Sequence, residues 1–392
     1  MQRVTQASEL SLEKNTLDML NLLRVMATMF VFLLHGRSAV WGIDEAGPIL
    51  SIFTNFPAWA GVWILFFLSG YLMQKGFLKG RYPIFEENKL NKKELGRFYL
   101  KRFLKIAPAY YIYIFLFLLL RYDMFFFKSP LVALKILTFT FNGNGGISGI
   151  GHLWYISLAM WLYLLAPFFY WMIRKIQRVP TLITTILLLT AAGFAYRLAI
   201  HFSPASWYTW SYTFLPANFD LFVGGMLCCS LTEAFKGKIT GVSAKICKPL
   251  SLVLLVALAL YNCYVYGVAT DACYFIYKIV LPTFYVWVCG FLLVSFDSCT
   301  KKRSKPTFSA IRKNPLRLID RFSPLTYSFY IFHIVVLNYF ELLLPSWRFF
   351  ANASVAVRYV LYFGICFIVS LAFAIVFEKM ISGFSAAKKR TA

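Results

Sequence analysis

The chain has 392 residues, of which 60 % are hydrophobic and only 14 % charged, with a formal net charge of +24. A water-soluble protein carries roughly 25 % charged residues, so a soluble enzyme of one or two domains is excluded. The positive balance does not point to nucleic acid, because the lysines and arginines fall in short clusters between apolar runs, as they do in the cytoplasmic loops of membrane proteins.

A membrane-spanning helix takes about 20 mainly apolar residues. Ten stretches satisfy this: 18–40, 58–78, 98–120, 152–173, 180–200, 213–234, 249–267, 272–297, 325–346 and 356–379. A polar tail, 1–16, precedes the first of them, which has full span length and so predicts a retained helix rather than a cleaved signal peptide. The segment 130–141 is apolar but too short to cross, and is expected to be interfacial or re-entrant. The expected fold is therefore an all-α polytopic membrane protein with about ten transmembrane helices. Its parts are a tail (1–16), a transmembrane domain (17–380) and a basic tail (381–392).

Orientation follows from the cations. With the N-terminus inside, the inner segments hold 31 of the 40 lysines and arginines, ten of them in 75–105 and eight in 301–321. The alternation holds at every loop, so both termini are expected to be cytoplasmic. Trp207, Tyr208, Trp210 and Tyr212 fall where a helix meets the outer headgroups, and belt anchoring accounts for them. The eight cysteines lie mostly in apolar runs without a CxxC, and no histidine stands at ligand spacing, so neither a metal site nor a disulfide framework is expected.

Ionisable groups inside a span are costly and so mark candidate sites. Arg24 and His35 lie eleven residues apart in the first stretch, close to three turns, on one face and roughly 16 Å apart along the axis. Ser69, Gly70 and Tyr71 lie in FFLSGYL near mid-membrane. His333 lies in the inner half of the ninth stretch, Asp220 in the outer half of the sixth, and His152, followed by Trp154, opens the fourth at the outer surface. Together they could line a polar track between the two faces. Each also has a simpler reading: interhelical hydrogen bonding for the intramembrane histidines, simple solvation for the interfacial His152, small-residue packing for Ser69-Gly70, and a structural ion pair for Asp220.

These residues also carry a resemblance. LNLLRVMATMFVFLLHG, with ten residues between Arg24 and His35, resembles the opening helix of the integral-membrane acyltransferase family 3, the bacterial polysaccharide O-acetyltransferases. GVWILFFLSGYLM resembles its Ser-Gly-aromatic-Leu segment. FYLKRFLKIAPAYY, with Arg102, Lys105, Pro108 and Tyr110, resembles its basic entry to the third helix. HLWYISLAMWLYLLAP and SPLTYSFYIFH resemble its fourth and late motifs. The five occur in order along nearly the whole chain. Two positions depart from the pattern: Asn21 stands where many members have aspartate, and Ala159 where many have glutamate.

The resemblance implies a multi-pass protein of the bacterial plasma membrane that moves an acyl group, acetyl by default, from cytoplasmic acyl-coenzyme A to a hydroxyl of a surface glycan or its lipid-linked precursor. Acetyl-coenzyme A would be a co-substrate, with no bound cofactor. The partners implied are the bilayer, the donor and the glycan. His35 would be the general base, since an imidazole with a pKa near roughly 6.5 can take the proton of an attacking hydroxyl. Arg24 would contact donor phosphate or the thioester oxyanion. Arg102 and Lys105 would hold the nucleotide phosphates, with Ser69, Tyr71 and His333 also on the donor side and His152 and Trp154 on the acceptor side. With no acid at Ala159, Asp220 is the candidate partner of His35. No soluble domain is expected after the last helix, so the acceptor would be met by outer loops, including the glycine-rich 121–151. The rival reading, a transporter or flippase for a lipid-linked sugar, fits the helices and buried charges. The ordered motifs and the lack of a visible internal repeat weigh against it.

Overall fold

A computed structural model describes residues 18–36, 58–86, 89–121, 129–143, 149–206, 208–268, 270–296 and 317–390. Trp207, residues 144–148 of the glycine-rich loop, Cys299 and most of the basic segment 301–321 fall outside the described residues.

All ten expected spans contain helix. The principal helices are α1 (Met19–His35), α2 (Ala58–Leu78), α3 (Lys92–Arg121), a short α4 (Pro130–Leu137), α5 (Leu153–Ile173), α6 (Val179–His201), α7 (Phe219–Ala234), α8 (Gly241–Val268), α9 (Leu281–Phe296), α10 (Thr326–Leu343) and α11 (Val355–Arg390). A two-residue antiparallel ladder, β1 (Phe85–Glu86) with β2 (Lys89–Leu90), precedes α3. Among the described residues seven helical runs are long and apolar enough to cross a membrane: those containing α2, α5, α6, α8, α9, α10 and α11. The other three expected spans are helical for different reasons of sequence. α1 and α7 are apolar but have 17 and 16 residues. α3 has 30 residues, yet its first half carries Lys92, Lys93, Arg97, Lys101, Arg102 and Lys105. At 1.5 Å per residue α3 is about 45 Å long, so a basic portion protrudes from a hydrocarbon core of about 30 Å.

The packing is that of a membrane bundle. α2 is central and packs on α1, α5, α7 and α9, while α10 packs on α1, α3 and α11. The α2–α7 contact is backbone to backbone. A Cβ on Gly70 would overlap the Phe222 carbonyl, and one on Gly225 would overlap the Phe67 carbonyl. Gly70 therefore fills the small-residue packing role common between membrane helices. The outer helices turn apolar side chains outward, among them Leu188 on α6, Val253 on α8 and Ile368 on α11. Such a surface needs lipid rather than water around it.

The short segment 129–143 contains α4. It lies between the ends of α3 and α5 and reaches the level of Tyr110 and Trp161 within them. Its terminal carbonyls, which water cannot satisfy in a membrane, accept from side chains. Tyr110 Oη donates to Ile136 O at 2.8 Å, Tyr111 Oη to Leu137 O at 2.7 Å, and Trp161 Nε1 to Phe139 O at 2.8 Å.

Candidate active site

α1 begins where Asp18 caps it, its carboxylate accepting from Leu20 N at 2.9 Å, and ends at Gly36. Arg24 and His35 thus occupy opposite ends of one rigid helix. At the Arg24 end, Nη1 donates to Ser323 Oγ at 3.1 Å, and Ser323 Oγ donates to Asn21 Oδ1 at 2.8 Å. Asn21 Nδ2 in turn donates to Asp320 Oδ1 at 2.8 Å. The turn before α10 therefore brings a carboxylate to Asn21, although Asn21 itself is neutral. Arg24 is within electrostatic reach of Tyr155 and Tyr163. Ser69 lies between these two hydroxyls, accepting from Tyr163 Oη at 3.3 Å and bonding Tyr155. Below this level Lys105 feels the charges of Arg102, Arg24 and Arg81, with Glu378 as the opposing charge. Arg102 Nη2 donates to Tyr82 Oη at 2.6 Å, and Ser328 Oγ donates to Glu378 at 2.7 Å.

At the other end of α1 three histidines gather. His35 Nδ1 lies 3.0 Å from His333 Nε2, and the His333 ring is 5.7 Å from the His152 ring, centroid to centroid. His152 is held by α10 twice: its Nε2 meets Ile331 O at 3.2 Å, and its own carbonyl accepts from Tyr330 Oη at 3.1 Å. A carbonyl can only accept, so His152 Nε2 carries the proton and Nδ1 carries a lone pair. That Nδ1 is buried and has no hydrogen-bond partner. Among the described residues no group of three or more His, Cys, Asp or Glu side chains is spaced to hold a metal ion.

His35 and His152 face a cavity of about 360 Å³, whose walls include Trp59, Trp154, Tyr208 and Tyr212. Trp59 stands edge-on to Tyr212 at 4.1 Å and Trp154 is tilted against it at 4.5 Å, centroid to centroid. Tyr208 lies outside the spanning helices, and burial pushes its phenol up to about 12, so it stays neutral at ordinary pH. Such a chamber offers apolar faces, phenol groups and two imidazoles.

A domain model described as an acyltransferase domain, that of acyltransferase family 3, matches residues 17–379. The chain belongs to the acyltransferase 3 family. It is a multi-pass membrane protein by its helices and by that membership. It is also similar to the Regulator of hypoxia-inducible factor 1 of Caenorhabditis elegans, with 29 % identity over 210 residues, 46 % of this chain and 39 % of that protein. The chain thus matches well under half of that relative's length. No solved structure matches.

In this acyltransferase 3 member the expected site residues divide. His35, His333, His152 and Trp154 come together at the cavity or directly behind it, whereas Arg24 and Ser69 share the level of Tyr155 and Tyr163. Three expectations are corrected. Asp220 is not the partner of His35: Arg197 of α6 takes its carboxylate, Nη1 to Oδ1 at 3.2 Å and Nη2 to Oδ2 at 2.5 Å. His333, expected in the inner half, is level with His35, because α1 ends where α10 reaches mid-length. His152, expected at the outer surface, is only 5 % exposed, with Tyr113 edge-on to its ring at 5.0 Å. Tyr71 is fully buried at the α2–α7 contact, where its backbone N lies close to Gly225. Sequence reasoning missed Tyr155, Tyr163, Tyr330, Ser323 and Asp320. Tyr330 was accessible as the residue one turn before His333. Ser323 opens the late motif SPLTYSFYIFH, whereas Asp320 carries no signal beyond polarity just before an apolar run.

Proposed function

We propose that the protein is a membrane O-acyltransferase of the bacterial plasma membrane. It moves an acyl group, acetyl by default, from cytoplasmic acyl-coenzyme A to a hydroxyl of a surface glycan or its lipid-linked precursor. The observation that carries the reading is a succession of polar side chains spaced through the bundle. It runs from Lys105 and Arg102, through Arg24 with Tyr163, Tyr155 and Ser69, to Tyr330 and the His35 cavity. The ring of Tyr155 is 5.2 Å from that of Tyr330, in the middle of this succession.

The chemistry follows from the two ends. Clustered cations repel one another unless an anion joins them. Among the described residues the cluster of Lys105, Arg102, Arg81 and Arg24 has Glu378 and Asp18 as opposing charges, fewer than its cations, so it suits the phosphates of coenzyme A. The uncharged pantetheine arm would follow the tyrosines and bring the thioester to His35. A hydroxyl seated among the aromatic rings loses its proton to His35 as its oxygen attacks the thioester carbonyl. The carbon–sulfur bond then breaks, and His35 returns the proton to the thiolate. Arg24 sits roughly 16 Å along α1 from His35, with its guanidinium tied to Ser323 at the far end. It therefore serves the donor arm rather than the oxyanion that forms at His35.

The test is turnover of acetyl-coenzyme A by protein in lipid nanodiscs, with glycan acetylation in cells followed by proton NMR. Wild type should release coenzyme A and restore acetyl signals. His35→Ala should insert normally and do neither, losing at least ~10²-fold. Normal acetylation by His35→Ala would remove it as the base. Unchanged acetylation with altered surface-glycan abundance on deleting the protein would favour a transporter.

A further inference from the structure

The contacts of His333 fix its own protonation pattern and, through it, that of His35. His333 Nδ1 lies 2.5 Å from the carbonyl oxygen of Tyr330, and a carbonyl can only accept, so Nδ1 carries the proton. The ring is 1 % exposed and packed among Phe32, Phe329 and Tyr330, and among the described residues no carboxylate is a hydrogen-bond partner of it. A doubly protonated ring there would be a buried charge without a counter-ion, so the neutral form fits the site. Nε2 of His333 then bears a lone pair. The 3.0 Å approach to His35 Nδ1 is a hydrogen bond only if His35 Nδ1 is the donor. The lone pair of His35 is thereby assigned to Nε2, the nitrogen left for the cavity that His35 lines.

We propose that His333 is a positioning residue for acyl transfer, which holds His35 in the Nδ1–H tautomer so that Nε2 is the base. This rests on the reading of His35 as the base and adds the means by which one of its two nitrogens is selected. In the step itself the acceptor hydroxyl gives its proton to His35 Nε2, its oxygen bonds the acyl carbon, and the carbon–sulfur bond breaks. The proton then passes from Nε2 to the thiolate sulfur, leaving free thiol and no net change at His35. Throughout, the Nδ1–H of His35 stays bonded to His333 Nε2. The Tyr330 carbonyl holds the far side of His333, so the chain imidazole–imidazole–carbonyl is anchored to the backbone of α10. A ring so held cannot flip to offer Nδ1 to the substrate, and the imidazolium formed during transfer keeps an acceptor for its second proton.

The experiment is nitrogen NMR of 15N-histidine-labelled protein in lipid nanodiscs, combined with steady-state kinetics. The chain has four histidines, so His35→Ala and His333→Gln suffice to assign the two rings. Wild type should show His35 protonated at Nδ1 and bare at Nε2, with a coupling from His35 Nδ1–H to His333 Nε2. His333→Gln retains a strong acceptor, whereas His333→Met has comparable size with only the weak acceptor of its thioether sulfur. Met should mix the His35 tautomers and lower kcat about 10- to 100-fold with KM for donor and acceptor little changed. Gln should keep the Nδ1–H tautomer and lose only a few-fold. Wild-type His35 protonated at Nε2 would overturn the proposal, and this measurement needs no variant to fold. Full kcat in His333→Met, or Gln as impaired as Met, would overturn it as well. Full activity in His35→Ala would instead overturn the general-base reading, and the tautomer measurement stands apart from that result.

Discussion

Removing one member of the Arg197–Asp220 pair should cost far more than removing both. The two side chains are 3 % and 1 % exposed and meet in a two-pronged contact. Arg197 Nη2 also donates to Thr283 Oγ1 on α9 at 3.0 Å, so the pair ties α6, α7 and α9 together. Gly193 makes the approach possible, because a Cβ there would overlap the Asp220 carboxylate. Asp220→Leu would strand a guanidinium inside the bundle, at a cost of about 3–5 kcal/mol. Arg197→Met would strand the carboxylate at a similar cost. The double variant removes both charges and fills the space with apolar groups, so it should lie within about 1 kcal/mol of wild type. A cycle over the four proteins would then return a coupling of at least about 3 kcal/mol. The assay is denaturant unfolding in mixed micelles, alongside acetyl-coenzyme A turnover. Additive single effects would refute the ion-pair account. A stable, well-inserted double variant that has lost turnover would refute the structural assignment and return Asp220 to the chemistry.

Two further predictions concern the donor end. Arg102→Gln with Lys105→Gln should raise KM for acyl-coenzyme A at least about tenfold for each charge-assisted hydrogen bond removed, with kcat changed less. The wild-type advantage should shrink as salt rises from 0.1 M, where screening acts over about 10 Å, towards 1 M; a KM indifferent to both changes would take these residues out of the donor site. Asn21→Asp should place a second carboxylate against Asp320 and lower both thermal stability and turnover. Adding Asp320→Asn should recover most of each, since it restores one acid and one amide across the same pair of side chains. No recovery in the double variant would mean that Asn21 acts through something other than Asp320.

The fold was legible because its signals are local. Hydropathy located helix in every expected span, and the Arg24–His35 spacing alone placed both on one face of α1. What could not be read is whatever depends on two segments nearly 300 residues apart. Asn21 looked like a lost acid until Asp320, from the turn before α10, was found beside it. His333 looked like a donor-side residue because depth was counted along its own helix. α1, however, stops at Gly36, at a level that α10 reaches only midway. Asp220 was weighed as a partner for His35 on depth alone, and depth does not report azimuth: its helix faces Gly193 and Arg197. The length of 130–141 marks it as too short to cross, whereas nothing in the sequence marks Tyr110, Tyr111 and Trp161 as donors to its carbonyls.

If His35 is the base, as proposed, the described residues hold it without a carboxylate. Ala159, where many related sequences place glutamate, is buried and offers nothing to an imidazole. A carboxylate partner would hold the ring and stabilise the imidazolium, but it would also bury a second charge near mid-membrane, which is costly. A neutral imidazole that donates to a backbone carbonyl fixes the tautomer equally well and adds no charge. The cost falls on the transition state, where the imidazolium has a hydrogen-bond acceptor and, among the described residues, no counter-ion. That cost is least when the proton stays on Nε2 only briefly, with the thioester sulfur already in place to receive it. A site built on His35 and His333 therefore favours transfer with both substrates bound over a slow, charged acyl-enzyme stage. Burst release of coenzyme A in the absence of acceptor would contradict this reasoning, and its absence, with release strictly dependent on acceptor, is the expected result.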